Sequence, residues 1–184
     1  PTPMDDLAWE TTGTEIDYRC PGFDVRRDDV RYADDEPGEY HYVDEPPAVV
    51  VLPVTTDGDV VVIDEWRQAV GRTNRGIPAG TMEPTDRDDI KRAAARELAE
   101  ETGYEAESFE RLTTVEPANG VTNAVHHHVL ATGCTPTAER DLDDNESIAV
   151  ETVPYDDLLA SVLDDGLRDG RAVTAVTWYE LVHR

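Results

Sequence analysis

The distribution of apolar and polar positions predicts a mixed α/β protein. Runs rich in β-branched and aromatic residues predict strands at 23–31, 39–43, 48–54, 60–66, 108–115, 126–131 and 148–153. Helical composition predicts helices at 88–102, 154–163 and 170–183. The Thr-Thr-Asp-Gly sequence at 55–58 indicates a hairpin between two of the strands.

The order of these elements favours one mixed sheet between helices, because strands and helices are interspersed without regular βαβ alternation. An apolar stripe of Val173, Val176, Thr177 and Leu181 predicts the buried face of the last helix. The chain has 184 residues, which suits a single soluble domain. Its longest apolar run, 48–54, is far shorter than a membrane span, and the first residues lack the charged-then-apolar pattern of a leader, so we expect neither a membrane span nor secretion.

Three carboxylates share one face of the first predicted helix. Glu97, Glu100 and Glu101 stand at positions i, i+3 and i+4. Like charges at these spacings repel, so the pattern is unfavourable for stability alone. A hard divalent cation with oxygen ligands would reverse that repulsion and leave coordination positions for phosphate and water. The face therefore predicts a Mg²⁺ site, with Mn²⁺ as the alternative ion; the other interpretation is a solvated acidic face in an acidic protein.

The surrounding residues resemble the Nudix box. That motif is a glycine, five residues, a glutamate, seven residues and then Arg-Glu-aliphatic-any-Glu-Glu-any-Gly-aliphatic. Here Gly80 and Asp86 open it, and 96–104 close it with a match at every fixed position. Asp replaces the first glutamate, and nine residues instead of seven separate Asp86 from Arg96, so counting back from Arg96 would select Asp88.

The resemblance extends to the ADP-ribose pyrophosphatase branch of the Nudix superfamily. It covers roughly residue 23 onward, including Ile-Pro-Ala-Gly at 77–80, the loop at 117–123 and the turn at 166–169. It implies a Nudix-type α/β/α sandwich at 47–184 and a small antiparallel β extension at 1–46. This branch often dimerises through such an extension, so a homodimer is expected.

The resemblance also implies site roles. Glu97 and Glu101 are the first choice of metal ligands, with Glu100 beside them or on a second ion, and the Ala79 carbonyl is a further ligand. Arg96 is expected to pair with the first acidic residue of the box, and Asp86 is preferred to Asp88 as its partner. Substrate contacts are expected from Arg67, Gly80 and Asn119. A guanidinium suits a diphosphate, although Arg67 could instead form a surface salt bridge.

Two positions depart from the branch pattern. Ala124 and Gly76 stand where related enzymes usually carry glutamates. The general base is therefore expected elsewhere, at Glu100 or Glu101 first and at Glu116 next. These departures leave the exact substrate open.

The three histidines at 126–128 invite a metal interpretation that strand geometry opposes. In a strand His126 and His128 share one face and His127 the other. Imidazole also suits zinc or copper better than Mg²⁺. We expect locally satisfied histidines or one substrate contact.

Charge is the second large signal. The chain has 41 acidic and 16 basic residues and a net charge of −25, with Lys91 as its only lysine. This composition opposes binding to nucleic acid or anionic membranes. It resembles the proteins of extreme halophiles, so we expect a salt-adapted cytoplasmic protein.

The sequence thus predicts a Mg²⁺-dependent pyrophosphohydrolase acting on a nucleoside diphosphate linked to another moiety, such as ADP-ribose or a nucleotide sugar. Nucleoside triphosphate and dinucleoside polyphosphate hydrolysis are alternatives within this class. The competing class is a Nudix-fold protein that senses a nucleotide without cleaving it, and the full set of box carboxylates argues against it.

Overall fold

A computed structural model describes residues 7–86, 89–142 and 147–184. These residues form two compact units. The smaller unit contains the chain up to Pro46 together with Glu116–Ala124. The larger unit contains Pro47–Val115 and Val125–Arg184.

The smaller unit is built on a three-stranded antiparallel sheet. Its strands, in spatial order, are β1 (Glu10–Arg19), β2 (Asp24–Arg31) and β3 (Pro37–Asp44). Strand β1 was not predicted, because its sequence is polar and nearly all of its residues are exposed. The segment 116–124 lies along β3, where the Val43 N–H donates to the Val121 carbonyl at 2.9 Å.

The larger unit contains a mixed sheet and three helices. Its strands are β4 (Ala48–Thr55), β5 (Asp59–Arg67), β6 (Arg72–Gly76), β7 (Ala79–Thr81), β8 (Ser108–Val115), β9 (His126–Cys134) and β10 (Ile148–Pro154). The spatial order is β10-β5-β4-β9-β8, with β6 paired to β5 and β7 paired to β4. Strands β4 and β9 are parallel, and the other pairs are antiparallel.

Helices cover both faces of this sheet. They are α1 (Ile90–Thr102), α2 (Tyr155–Leu163) and α3 (Gly170–His183). On one face Leu98 of α1 packs with Val51 and Val129. On the other face Leu158 of α2 and Val176 of α3 pack in the same cluster as Val50 of β4. The predicted mixed α/β sandwich, with helices on both faces of the sheet, is confirmed.

The structure corrects several details of the prediction. Short strands β6 and β7 were missed, because neither has a strand-like hydrophobic pattern. The buried face of α3 is formed by Ala172, Ala175 and Val176, whereas Leu181 is 83% exposed. The expected start of the first helix at residue 88 falls outside the described residues. No described helix is long and apolar enough to cross a membrane.

Candidate active site

Helix α1 is held firmly at both ends. Its N-cap residue, Asp89, accepts hydrogen bonds from the N–H groups of Lys91 and Arg92 at 3.0 and 3.3 Å. At the other end Gly103 adopts a left-handed conformation with φ of 76°, and its N–H donates to the Ala99 carbonyl at 2.8 Å. These caps define the register in which the helix presents its carboxylates.

Two of the box carboxylates are buried against the backbone of β7. Glu97 is 8% exposed and Glu101 is 3% exposed. The Ala79 N–H donates to Glu101 Oε2 at 3.1 Å. A Cβ placed on Gly80 would lie 2.2 Å from the Glu97 carboxylate. One helical turn therefore places the two carboxylates against consecutive residues of the strand, and only glycine at position 80 leaves room for Glu97.

Arg96 connects the helix to the loop that precedes it. Its Nη1 donates to Glu97 Oε1 at 2.8 Å and to Glu100 Oε2 at 3.0 Å. Its Nη2 donates to the Thr81 carbonyl at 3.0 Å and to Asp86 Oδ2 at 3.1 Å. Burial alone would lower the pKa of Arg96, but these acidic partners raise it above its usual value. The guanidinium is a permanent cation among three carboxylates.

Asp86, in the loop before α1, is the most deeply buried acidic partner of Arg96. The Asp86 residue is 1% exposed, and its carboxylate also accepts the Glu83 N–H at 2.8 Å. Burial tends to raise the pKa of Asp86, but the Arg96 and Glu83 hydrogen bonds hold it below the usual value. The expected pairing of Arg96 with Asp86 is present, while Asp88 lies outside the described residues, so the preference for Asp86 over Asp88 stays a prediction.

The donor set around β7 is compatible in kind with a hard divalent cation, since it consists of carboxylate and carbonyl oxygens. Within the described ranges, however, no three His, Cys, Asp or Glu side chains are grouped as a metal site. Glu97 and Glu100 both face the Arg96 guanidinium instead. A cation held by Glu97 and Glu101 would therefore complete its shell with backbone, substrate or water oxygens, which is the usual situation for Mg²⁺.

Arg67 lies at the end of β5 and pairs with a carboxylate of its own strand. Its Nη2 is 2.7 Å from Glu65 Oε2, and Glu65 is 8% exposed. The salt bridge considered for Arg67 is therefore present, although its carboxylate partner is buried.

The carboxylate of Asp169 lies beside Gly76. A Cβ on Gly76 would lie 3.5 Å from Asp169 Cγ, an ordinary van der Waals contact, so the Asp169 carboxylate lies next to this position. Burial tends to raise the pKa of Asp169, but Arg171, the Ala172 N–H and the charge of Arg67 hold it low. No role was predicted for Asp169, which belongs to the turn at 166–169 whose sequence resembles the branch.

Asn119 and the loop around it belong to the smaller unit. The Asn119 side chain donates to Glu116 Oε2 at 3.1 Å. Both residues line an open pocket of about 320 Å³ together with Tyr40, Tyr42, Thr122 and Asn123. Ala124 is 2% exposed, so a longer side chain at this position would have to displace its surroundings.

The three histidines have different environments. His127 Nδ1 is 3.0 Å from Thr114 Oγ1, and burial lowers the pKa of His127. His128 is fully buried, and its ring nitrogens make no hydrogen bond of standard geometry to a described residue, although backbone groups of Arg171 and His126 favour its protonated form. His127 is thus a hydrogen-bonded strand histidine, and a substrate contact from any of the three histidines stays a prediction. Burial lowers the pKa of His128 to about 4, so its ring is neutral near pH 7.

The comparison with known proteins agrees with this geometry. The NUDIX domain model matches residues 44–175. The chain belongs to the Nudix family. It is 29% identical over 179 residues to an ADP-ribose pyrophosphatase of Bacillus subtilis (strain 168), covering 97% of this chain and 96% of that protein.

Two further relatives are informative. A methanol dehydrogenase activator of Bacillus methanolicus is 28% identical, with 84% of this chain and 83% of that protein covered. The crystal structure of an ADP compounds hydrolase superposes with a TM-score of 0.81 at 21% identity, covering 94% of this chain and 92% of that one. The prediction of a Nudix pyrophosphohydrolase similar to the ADP-ribose pyrophosphatase branch is confirmed.

Proposed function

We propose that this Nudix enzyme is a Mg²⁺-dependent hydrolase of the pyrophosphate bond in a nucleoside diphosphate joined to another moiety. ADP-ribose is the first candidate substrate, and nucleotide sugars come next. The observation that supports this most directly is the burial of Glu97 and Glu101 against Ala79 and Gly80. Two buried carboxylates one helical turn apart are costly unless cations or hydrogen bonds compensate them.

The substrate explains why such a site would be useful. A pyrophosphate bridge is strongly anionic and repels an attacking water. Bound Mg²⁺ or Mn²⁺ would neutralise phosphate oxygens and lower the pKa of a coordinated water. Glu97, Glu101 and the Ala79 carbonyl would hold the ion, and Arg96 would keep the helix and the Asp86 loop in place around it.

Other residues complete the proposed machinery. The Glu100 side chain is 39% exposed, the most of the three box glutamates. This exposure suits a base that accepts a proton from water. It equally suits a ligand of a second ion. Glu101 and then Glu116 remain the alternative bases. Arg67 would bind the diphosphate by exchanging part of its pairing with Glu65 for phosphate oxygens. Asn119 would contact the substrate from the wall of its pocket.

Two broader features belong to the same proposal. We infer a homodimer formed through the sheet of the smaller unit, which light scattering during gel filtration would test. The net charge of −25 supports a salt-adapted cytoplasmic setting.

A substrate panel tests the proposed reaction. ADP-ribose, nucleotide sugars, nucleoside triphosphates and dinucleoside polyphosphates are incubated with the enzyme and Mg²⁺ at molar KCl, and products are separated by chromatography. We expect AMP and ribose 5-phosphate from ADP-ribose, and loss of turnover when Mg²⁺ is chelated. Preference for triphosphates or dinucleoside polyphosphates would replace the proposed substrate class. Tight binding of ADP-ribose without any product would favour a nucleotide sensor instead.

A further inference from the structure

A short segment, residues 138–141, closes the C-terminal end of the catalytic helix α1. The Asp141 N–H donates to the Glu100 carbonyl at 3.0 Å, and the Ala138 N–H donates to the Gly103 carbonyl at 3.0 Å. Arg140 Nε donates to the Glu101 carbonyl at 2.9 Å. The last carbonyls of a helix have no partners within the helix, so this segment supplies what α1 lacks.

Arg140 also joins the helix to the sheet. Its Nη2 donates to the Ile148 carbonyl at 2.8 Å. Ile148 is the first residue of β10 and is paired with Glu65 of β5. A single guanidinium therefore links the end of α1 to the edge strand β10, and its rigid fork can hold both carbonyls at once.

The position of Arg140 suits the end of a helix. Its two hydrogen bonds go to the backbone carbonyls of Glu101 and Ile148 rather than to a carboxylate of the described residues. The C-terminal end of a helix carries partial negative charge, which a cation at this position stabilises. Gly103 leaves room for the Arg140 side chain, because a Cβ at position 103 would lie 3.2 Å from Arg140 Cγ.

We propose that Arg140 is a positioning residue for the active site, acting through the backbone of Glu101. The Glu101 carboxylate reaches the Ala79 N–H only if the last turn of α1 keeps its place. Helix ends fray when their carbonyls lose their partners. A displacement of about 1 Å at a reacting centre can cost ~10²-fold in rate. The role of Glu101 in this inference rests on the proposed function.

The test compares Arg140→Gln, Arg140→Lys and a control, Arg111→Gln. Arg111 is exposed on β8, and among the described residues its guanidinium donates to the Thr114 hydroxyl alone, so the control makes the same chemical change away from the end of α1. Three quantities are measured: amide hydrogen exchange of the peptide covering 98–104, Mn²⁺ binding without substrate, and kcat and KM.

For Arg140→Gln we expect faster exchange confined to 98–104, Mn²⁺ affinity weakened about fivefold, and kcat lowered about tenfold with little change in KM. Arg140→Lys keeps the charge and can donate to one carbonyl, so intermediate values are expected. Arg111→Gln should match the wild type in all three.

Wild-type exchange and Mn²⁺ affinity in Arg140→Gln would overturn the inference. Equal losses in both Arg140 variants, with faster exchange throughout the protein, would also overturn it, because they indicate general destabilisation. If the wild type cleaves no substrate in the panel, the proposed function fails, while exchange and Mn²⁺ binding still decide the role of Arg140.

Discussion

The Glu97 carboxylate occupies the space in which any side chain at position 80 would have to begin. A Cβ on Gly80 would lie only 2.2 Å from its carboxyl atoms. The glycine that opens the Nudix box thus leaves free the space that the first glutamate after the box arginine occupies. The glycine is needed for the close approach of β7 to α1, because no other residue type lacks the Cβ.

Gly80→Ala should reduce activity without unfolding the protein. The atoms that the new methyl group meets are the end of a flexible side chain, so Glu97 can rotate away and the backbone need not move. We expect at least about a tenfold loss of kcat and a melting temperature close to wild type. Gly22→Ala, where no heavy atom lies within 4 Å of the added Cβ, is the matched control. Wild-type turnover in Gly80→Ala would show that the position of Glu97 is unimportant.

Glu97→Gln and Glu101→Gln should each lower turnover at least about a hundredfold at saturating Mg²⁺. Glutamine keeps the shape of glutamate and one carbonyl oxygen, so the side chain at position 101 can still accept the hydrogen bond from the Ala79 N–H. Circular dichroism and thermal unfolding verify that both variants are folded, and Glu110→Gln on the exposed face of β8 is the control. Near-normal rates in both variants would contradict the site assignment.

His128 should make the protein less stable as the pH falls from about 6.5 to 4. Its folded pKa of about 4, lowered chiefly by burial, lies below the ordinary value of 6.5. The unfolded chain therefore binds a proton more readily in this window, and the free energy of unfolding should fall by up to about 3 kcal/mol. Urea unfolding at pH 5.0 to 7.5 measures the part of this change that lies above pH 5, about 2 kcal/mol.

His128→Leu is the matched variant for the pH prediction. Part of the slope between pH 6.5 and 5 should remain, because burial also lowers the pKa of His127. Carboxylates such as Asp86, whose pKa is held low, contribute only at more acidic pH. An unchanged slope in His128→Leu would mean that His128 is protonated in the folded protein or accessible to water.

Folding should weaken as KCl is lowered from molar concentration to ~0.1 M. The Debye length is ~3 Å at 1 M salt and grows to ~10 Å at 0.1 M. Repulsion among the charges that give the net −25 therefore increases on dilution. Melting temperatures measured across this range in KCl test the effect. A melting temperature that stays flat or rises on dilution would remove the halophile interpretation.

The sequence by itself determined the family, most of the elements and the catalytic helix. Strands β4 and β5 contain the β-branched runs 49–51 and 60–63, and α1 has both a capping aspartate and a terminal glycine, so local chemistry specifies them. The i, i+3, i+4 spacing of Glu97, Glu100 and Glu101 is likewise a property of any helix that contains them.

Only the tertiary structure decided which atoms those residues meet. Sequence spacing allowed Asp86 or Asp88 as a partner of Arg96, and the structure shows Asp86 buried beside the guanidinium, while Asp88 lies outside the described residues. Asp169 lies 93 residues along the chain from Gly76, and Arg140 lies 39 residues from Glu101, whose carbonyl it binds. Such contacts depend on how β6, α1 and α3 pack on the sheet, and no local pattern encodes that packing.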